Sequence, residues 1–134
     1  MILPDSSAWI EYIRGTGSPV HLRLRELVAS EEPMLTSAPV MMELLAGAAG
    51  DTQARDIRRL LARCDFVRLD DPGDFESAAD IFRRCRAAGT TVRGTPDCLI
   101  AALAIRVGAD VLHRDADFDS IARCSALGCV PLNG

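Results

Sequence analysis

The sequence predicts an α/β fold with a mainly parallel sheet. Short apolar runs alternate with amphipathic helical stretches along the whole chain, and Ser, Asp, Pro and Gly punctuate the stretches so that connections stay short. A third observation concerns the sheet edge. Acidic residues recur where a strand ends or a helix begins, and in parallel α/β sheets ligands bind at the carboxyl ends of the strands.

The elements follow in order. Residues 1–4 read as a first short strand, and Ser6 or Ser7 caps a helix to about Arg14 that Gly15 closes. Pro4 is awkward there, because Pro cannot donate to a central ladder. Ser18-Pro19 is an N-cap followed by Pro at the first helical position, and that helix puts Val20, Leu24, Leu27 and Val28 on one face. Residues 34–36 form a second strand. Ser37 and Pro39 then open a helix through Ala46, with Gly47 near its end. Asp51 is expected to cap the next helix, whose apolar stripe is Ile57, Leu60, Leu61 and Cys64. Residues 66–69 make a short strand. Asp71-Pro72 starts a helix with Phe75, Ala79 and Phe82 inward, stopped by Gly89. Thr95-Pro96 opens a helix over 97–107 that is apolar nearly all round and therefore buried, with Gly108 as its stop. Residues 111–113 form a strand, a short helix lies near 118–124, and a last strand near 129–132.

The length, 134 residues, suits one domain, and 49% hydrophobic residues suffice for a core. No apolar run approaches the ~18–20 residues that span a membrane, and the first residues lack a basic region followed by a long apolar one. The expected location is the cytoplasm, with no membrane partner. The five cysteines show no CxxC spacing and argue against a zinc site or disulfide framework. All 15 basic residues are Arg. The absence of Lys excludes Schiff-base chemistry and P-loop nucleotide binding. It also excludes receiver domains and haloacid-dehalogenase-like phosphatases, which need a Lys. The net charge of −4 argues against nucleic-acid binding taken alone. Part of that charge is the acidic cluster, which bound cations would neutralise.

The cluster comprises Asp5, Glu43, Asp97 and the pair Asp115/Asp117. Each acid also has a structural role open to it. Asp5 suits an N-cap, Glu43 a solvated helix position, Asp97 the first turn of a helix dipole, and Asp115 and Asp117 a turn. Together they ask for a cation, because unpaired carboxylates beside apolar segments are expensive to bury. A divalent metal bound by oxygen ligands is the simplest account, and it points to phosphodiester chemistry. The run Asp115, Asp117, Asp119 lacks the Gly and the terminal Glu of a calcium loop.

The segments ILPDSSAWIEYIRG, TSAPVMMELLAGA and TVRGTPDCLIAALAIRVGADVLHRDADFDSIA carry a resemblance. Over essentially its whole length the chain resembles the PIN-domain ribonucleases, specifically the VapC-type toxins of bacterial toxin–antitoxin pairs. The resemblance implies a three-layer α/β/α sandwich with a mainly parallel central sheet, formed by one domain over 1–134. It also implies Mg2+- or Mn2+-dependent endoribonuclease activity, inhibition by a cognate VapB-type antitoxin, and a homodimer. Asp5, Glu43 and Asp97 match the family's three core acids, and Asp115 or Asp117 the fourth. Pro4 departs from the aliphatic residue usual before the first acid.

On this reading Asp5 and Asp97 hold a metal with Asp115 or Asp117, while Glu43 orients the attacking water or completes a second metal position. Ser6 or Ser7 stands where the family has a hydroxyl after the first acid, with Ser7 taken as the residue that hydrogen-bonds the site. Arg14, Arg93 and Arg114 lie beside the acidic segments as candidates for RNA phosphate contacts. His21 and His113 are not needed as an acid–base pair, and Trp9 and Tyr12 are expected to pack rather than to stack on a base. The helices around 20–28 and 57–64 are candidates for an antitoxin groove. The alternatives are a catalytically silent binding module with PIN-like architecture, or a PIN nuclease acting on DNA.

Overall fold

The structure is a computed structural model and describes residues 1–132. Among these described residues four short strands make the sheet: β1 (Ile2–Pro4), β2 (Leu35–Thr36), β3 (Asp65–Phe66) and β4 (Asp110–Leu112). Seven helices among the described residues surround it: α1 (Ser6–Arg14), α2 (Pro19–Ser30), α3 (Ala38–Ala46), α4 (Asp51–Leu61), α5 (Gly73–Ala87), α6 (Thr95–Val107) and α7 (Ala116–Cys124). All pairings are parallel. β1 pairs with β4, β2 with β3, and a single bridge between Ile2 and Met34 joins the two halves. Helix packs on helix in two groups, α1 with α2 and α3, α3 with α4, and on the other side α5, α6 and α7. The sheet lies between them as an α/β/α sandwich, and its all-parallel strands need covering on both faces.

Pro4 fits because of the ladder's alternation. The Asp5 N–H donates to Leu112 O at 2.9 Å and Asp110 N to Met1 O at 2.9 Å. In a parallel strand alternate residues bond to opposite neighbours, so with Asp5 facing β4, Pro4 faces β2. On that side the ladder has shrunk to the Ile2–Met34 bridge. No N–H is required of residue 4, and the chain can turn from strand to site there.

Local signals set most helix ends. Ser18 Oγ accepts from His21 N at 3.1 Å with Pro19 at the first helical position, and Gly15 and Gly108 close α1 and α6 at φ 62° and 71°. Val20, Leu24, Leu27 and Val28 are buried as their spacing requires. The core also takes in Leu3, Trp9, Ile100, Leu103, Val111 and Phe118, none more than 1% exposed.

Five expectations need correction. The N-cap of α4 is Gly50, not Asp51. Gln53 reaches back to accept from Ala49 N at 2.6 Å, and Asp51 supplies first-turn charge instead. The N-cap of α1 is Asp5, ahead of Ser6 and Ser7, whereas the stripe of α4 holds, with Ile57 and Leu61 buried and Leu60 and Cys64 packed half-buried against the core. The third strand is Asp65–Phe66, fixed by Asp65 N to Met34 O and Val67 N to Thr36 O, and it ends before Leu69. On α5 the inward face is Asp74, Ala78, Ile81 and Cys85, while Phe75 and Ala79 are exposed and Phe82 half-buried. The apolar spacing misleads because an acid holds a buried position. Asp74 accepts from Arg106 Nε at 2.9 Å, from its Nη2 at 3.0 Å and from Asp70 N at 2.8 Å. Finally, the strand expected over 129–132 is one bridge, Val111 to Cys129, because Pro131 has no N–H to extend it.

Candidate active site

Five carboxylates meet at the edge of the sheet where the strands end. Asp5 follows β1 directly and caps α1. Its Oδ2 accepts from Ser7 N at 3.0 Å and from Ser7 Oγ at 2.7 Å. Only 3% of it is exposed. Burial raises its carboxyl above the ordinary range, the Ser7 hydrogen bonds oppose that, and the charge of Glu43 adds to it.

Glu43 projects from α3 and is itself exposed, yet it is held. Ser6 Oγ, on a side chain 5% exposed, donates to Glu43 Oε2 at 2.5 Å. The two serines after Asp5 thus divide the work. Ser7 fixes Asp5, and Ser6 fixes an acid 37 positions away. The sequence offers either Ser6 or Ser7 as the hydroxyl beside the first acid, and both bond a carboxylate of the site, Ser6 one that the sequence could not name as its partner. The signal for Ser6 was its place in the first turn of a helix that begins at the site.

Asp97 lies in the first turn of α6, after the N-cap Gly94. Burial, then the charges of Asp5, Asp115, Asp117 and Glu43, push its carboxyl up to about 7. Asp115 caps α7 by accepting from Asp117 N at 3.0 Å, and Asp117 is 8% exposed. One ligand oxygen each from Asp97, Asp115 and Asp117 lies within 4.8 Å of the others. Asp115 and Asp117 therefore both belong to the cluster. Asp5 stands outside this group of three, turned to Ser7, although its charge still reaches Asp97.

Both ion pairs made to these five acids among the described residues come from Arg93. Its Nη2 lies 2.8 Å from Asp115 Oδ1, its Nε 3.1 Å from Asp117 Oδ2, and its backbone N–H 3.3 Å from the same Oδ2. One guanidinium cannot neutralise three converging carboxylates, so their charges still add to burial in holding the Asp97 carboxyl up. A donor set of carboxylate oxygens alone, without sulfur or imidazole, fits a hard divalent cation of the Mg2+ or Mn2+ kind.

The remaining candidates lie around this edge. Ser7 Oγ also accepts from Arg114 N at 3.0 Å, and the Arg114 guanidinium pairs with Glu11 Oε1 at 2.5 Å. Arg14 is exposed beside Glu43, on a groove of about 320 Å³ that also contains Ile10, Ile13 and Ile57. That groove runs between α1, α3 and α4. The inward face of α2, expected as one of its walls, is buried in the core instead. Trp9 is fully buried, edge-on to Tyr12 with ring centroids 6.0 Å apart. His113 Nδ1 accepts from Asp115 N at 3.1 Å and so supports the loop that carries the acids, whereas His21 accepts from Gly17 N near the start of α2.

Residues 2–123 match the family described as PIN domain. Ribonuclease VapC11 of Mycobacterium tuberculosis is 48% identical over 128 residues, which is 95% of this chain and 96% of that protein. Among solved structures, FitAcB from Neisseria gonorrhoeae superposes with a TM-score of 0.74 at 21% identity, covering 98% of this chain and 97% of the other. VapBC2 from Rickettsia felis, bound to a DNA fragment from its promoter, gives 0.72 at 17% identity, covering 97% of this chain and 98% of the other. At these identities the two structures speak for the fold.

Proposed function

This chain belongs to the PIN domain family, and on that premise we propose that it is an endoribonuclease of the VapC kind. On this reading it is the toxin of a toxin–antitoxin pair, hydrolyses RNA phosphodiesters and is neutralised by a VapB-type antitoxin. The observation that carries the reading is the convergence of Asp5, Glu43, Asp97, Asp115 and Asp117 from separate segments, with three ligand oxygens within 4.8 Å. The 48% identity to a protein named Ribonuclease VapC11 supports the same activity. The reading takes residues 1–134 as one such domain, working in the cytoplasm as a homodimer. No described helix is long and apolar enough to cross a membrane.

Asp97, Asp115 and Asp117 would hold Mg2+ or Mn2+, with Asp5 as a further ligand. The ion, when bound, supplies a water of lowered pKa and positive charge for the developing phosphorane-like transition state. Glu43, steadied by Ser6, orients the attacking water in line with the phosphorus. Attack by water leaves a 5′-phosphate and a 3′-hydroxyl and needs no 2′-OH nucleophile. Ser7 keeps Asp5 placed at the end of β1. Arg14, Arg93 and Arg114 at the rim offer guanidinium forks to RNA phosphates.

The test is to incubate the purified chain with total RNA in Mg2+, in Mn2+ and in EDTA, beside Asp97→Asn, and to map the cut ends. Metal-dependent cuts with 5′-phosphate ends, absent in the variant, are expected. A folded protein that cuts nothing in either metal would make this a silent binding module. Cleavage of DNA but not RNA would make it a PIN nuclease of the other kind.

A further inference from the structure

Arg93 occupies a curious position for a residue expected to greet RNA. Its guanidinium makes two bonds inward, to Asp115 Oδ1 at 2.8 Å and Asp117 Oδ2 at 3.1 Å, and its backbone N–H adds a third at 3.3 Å. Those are carboxylates of the group able to share one ion. The side chain is nevertheless 75% exposed and stands on the irregular segment between α5 and α6. Among the described residues, the Arg93 side chain bonds through its guanidinium head only. Another exposed arginine at the rim, Arg114, pairs outside the cluster, with Glu11.

We infer that Arg93 is a built-in counter-cation, which fills the place of the divalent ion in the metal-free protein and is displaced when the ion binds. This rests on the metal-binding reading above and adds a regulatory step to it. Three acids gathered without any cation would repel one another and loosen the start of α7. A guanidinium fork matches two carboxylate oxygens, so it holds them near the geometry an ion needs. It is also a weak competitor. An exposed pair contributes little, because water screens it and its flexible side chain loses entropy when held. The exchange is therefore easy, and it frees a positive fork at the mouth of the site at the moment the ion arrives. Asp117 keeps the Arg93 backbone N–H as a tether, so the freed side chain stays nearby.

The exchange predicts a definite pattern in Mn2+ titrations followed by calorimetry and by the paramagnetic signal of free Mn2+. R93Q should bind Mn2+ about fivefold more tightly than the parent. R93K keeps the charge but loses the fork, and should fall between the two. In the parent, an arginine-directed dicarbonyl, with sites mapped by mass spectrometry, should modify Arg93 several-fold faster in saturating Mn2+ than in EDTA. Equal affinities for R93Q and the parent overturn the exchange. R93K binding like the parent while R93Q binds more tightly also overturns it, because long-range charge would then account for the gain. Unchanged dicarbonyl reactivity of Arg93 on metal loading overturns it as well. In each of these cases D97N still failing to bind Mn2+ leaves the metal site itself standing. A parent that binds no Mn2+ overturns the metal site and the exchange together.

Discussion

Asp97→Asn should stabilise the metal-free protein at alkaline pH, although it removes a residue placed at the heart of the site. The reasoning starts from the carboxyl pushed up to about 7, chiefly by burial and then by Asp5, Asp115, Asp117 and Glu43, against an ordinary value of 3.8. Between those values the folded chain binds a proton that the unfolded chain has released. Stability contributed by protonated Asp97 is thus fully present below 3.8 and is lost as pH rises to about 7. Each pH unit in that interval is worth ~1.4 kcal/mol, which sets a ceiling of ~4 kcal/mol. Asp97 is only half-buried, so screening by water brings the expected gain of the Asn variant to about 1–2 kcal/mol above pH 7. The favourable helix dipole at the start of α6 acts on the ionised form and subtracts ~0.5 kcal/mol at most. For a chain of this size the net effect is a rise in Tm of about 3–8 °C. The assay is thermal unfolding in EDTA from pH 4 to pH 8. The advantage of Asn should be absent near pH 4, grow through pH 5 and 6, and level off above 7. Saturating Mn2+ should reverse the order at pH 8, because only the parent gains binding energy on folding. An Asn variant that is less stable at pH 8 in EDTA, or equally advantaged at pH 4 and pH 8, would refute the reasoning.

Three further outcomes follow from the same geometry. The affinity for Mn2+ should fall about tenfold per pH unit below 7, since Asp97 must release its proton to bind, and calorimetry in buffers of different ionisation heat should register that proton. Ser6→Ala should cut RNA cleavage about tenfold or more with an unchanged circular-dichroism spectrum, because Glu43 loses the one side chain that hydrogen-bonds it among the described residues. Cleavage at the parent rate would show that Glu43 needs no such support. Asp74→Ala should cost about 2 kcal/mol in urea denaturation at pH 7, less than a fully buried pair because the Arg106 side chain is 38% exposed. Burial raises the Asp74 carboxyl, but hydrogen bonds from Arg106 and Asp70 outweigh it and hold it below 3.8. The penalty should therefore persist from neutral pH down to about pH 4 and shrink only below that.

What the sequence determined alone was whatever short-range chemistry specifies. Gly15 and Gly108 end helices because the left-handed backbone there suits a residue without Cβ, and Ser18-Pro19 starts one because cap and ring act on adjacent bonds. The buried stripe of α2 follows from its own spacing. The acids at Asp5, Glu43, Asp97, Asp115 and Asp117 could be named because carboxylates beside strand ends and apolar helices are unusual. What only the tertiary structure decided involves partners far apart in the chain. The phase of α5 depends on Arg106, 32 positions beyond Asp74, making a buried acid tolerable. Pro4 is acceptable because β4 takes the bonds of Asp5 and leaves residue 4 facing a nearly empty ladder. Ser6 rather than Ser7 meets Glu43, and the exposed Arg93 pairs with Asp115 and Asp117 rather than standing free. Such choices rest on side-chain directions at distances of a few ångströms, set when separate segments pack together, and no local pattern in the chain encodes them.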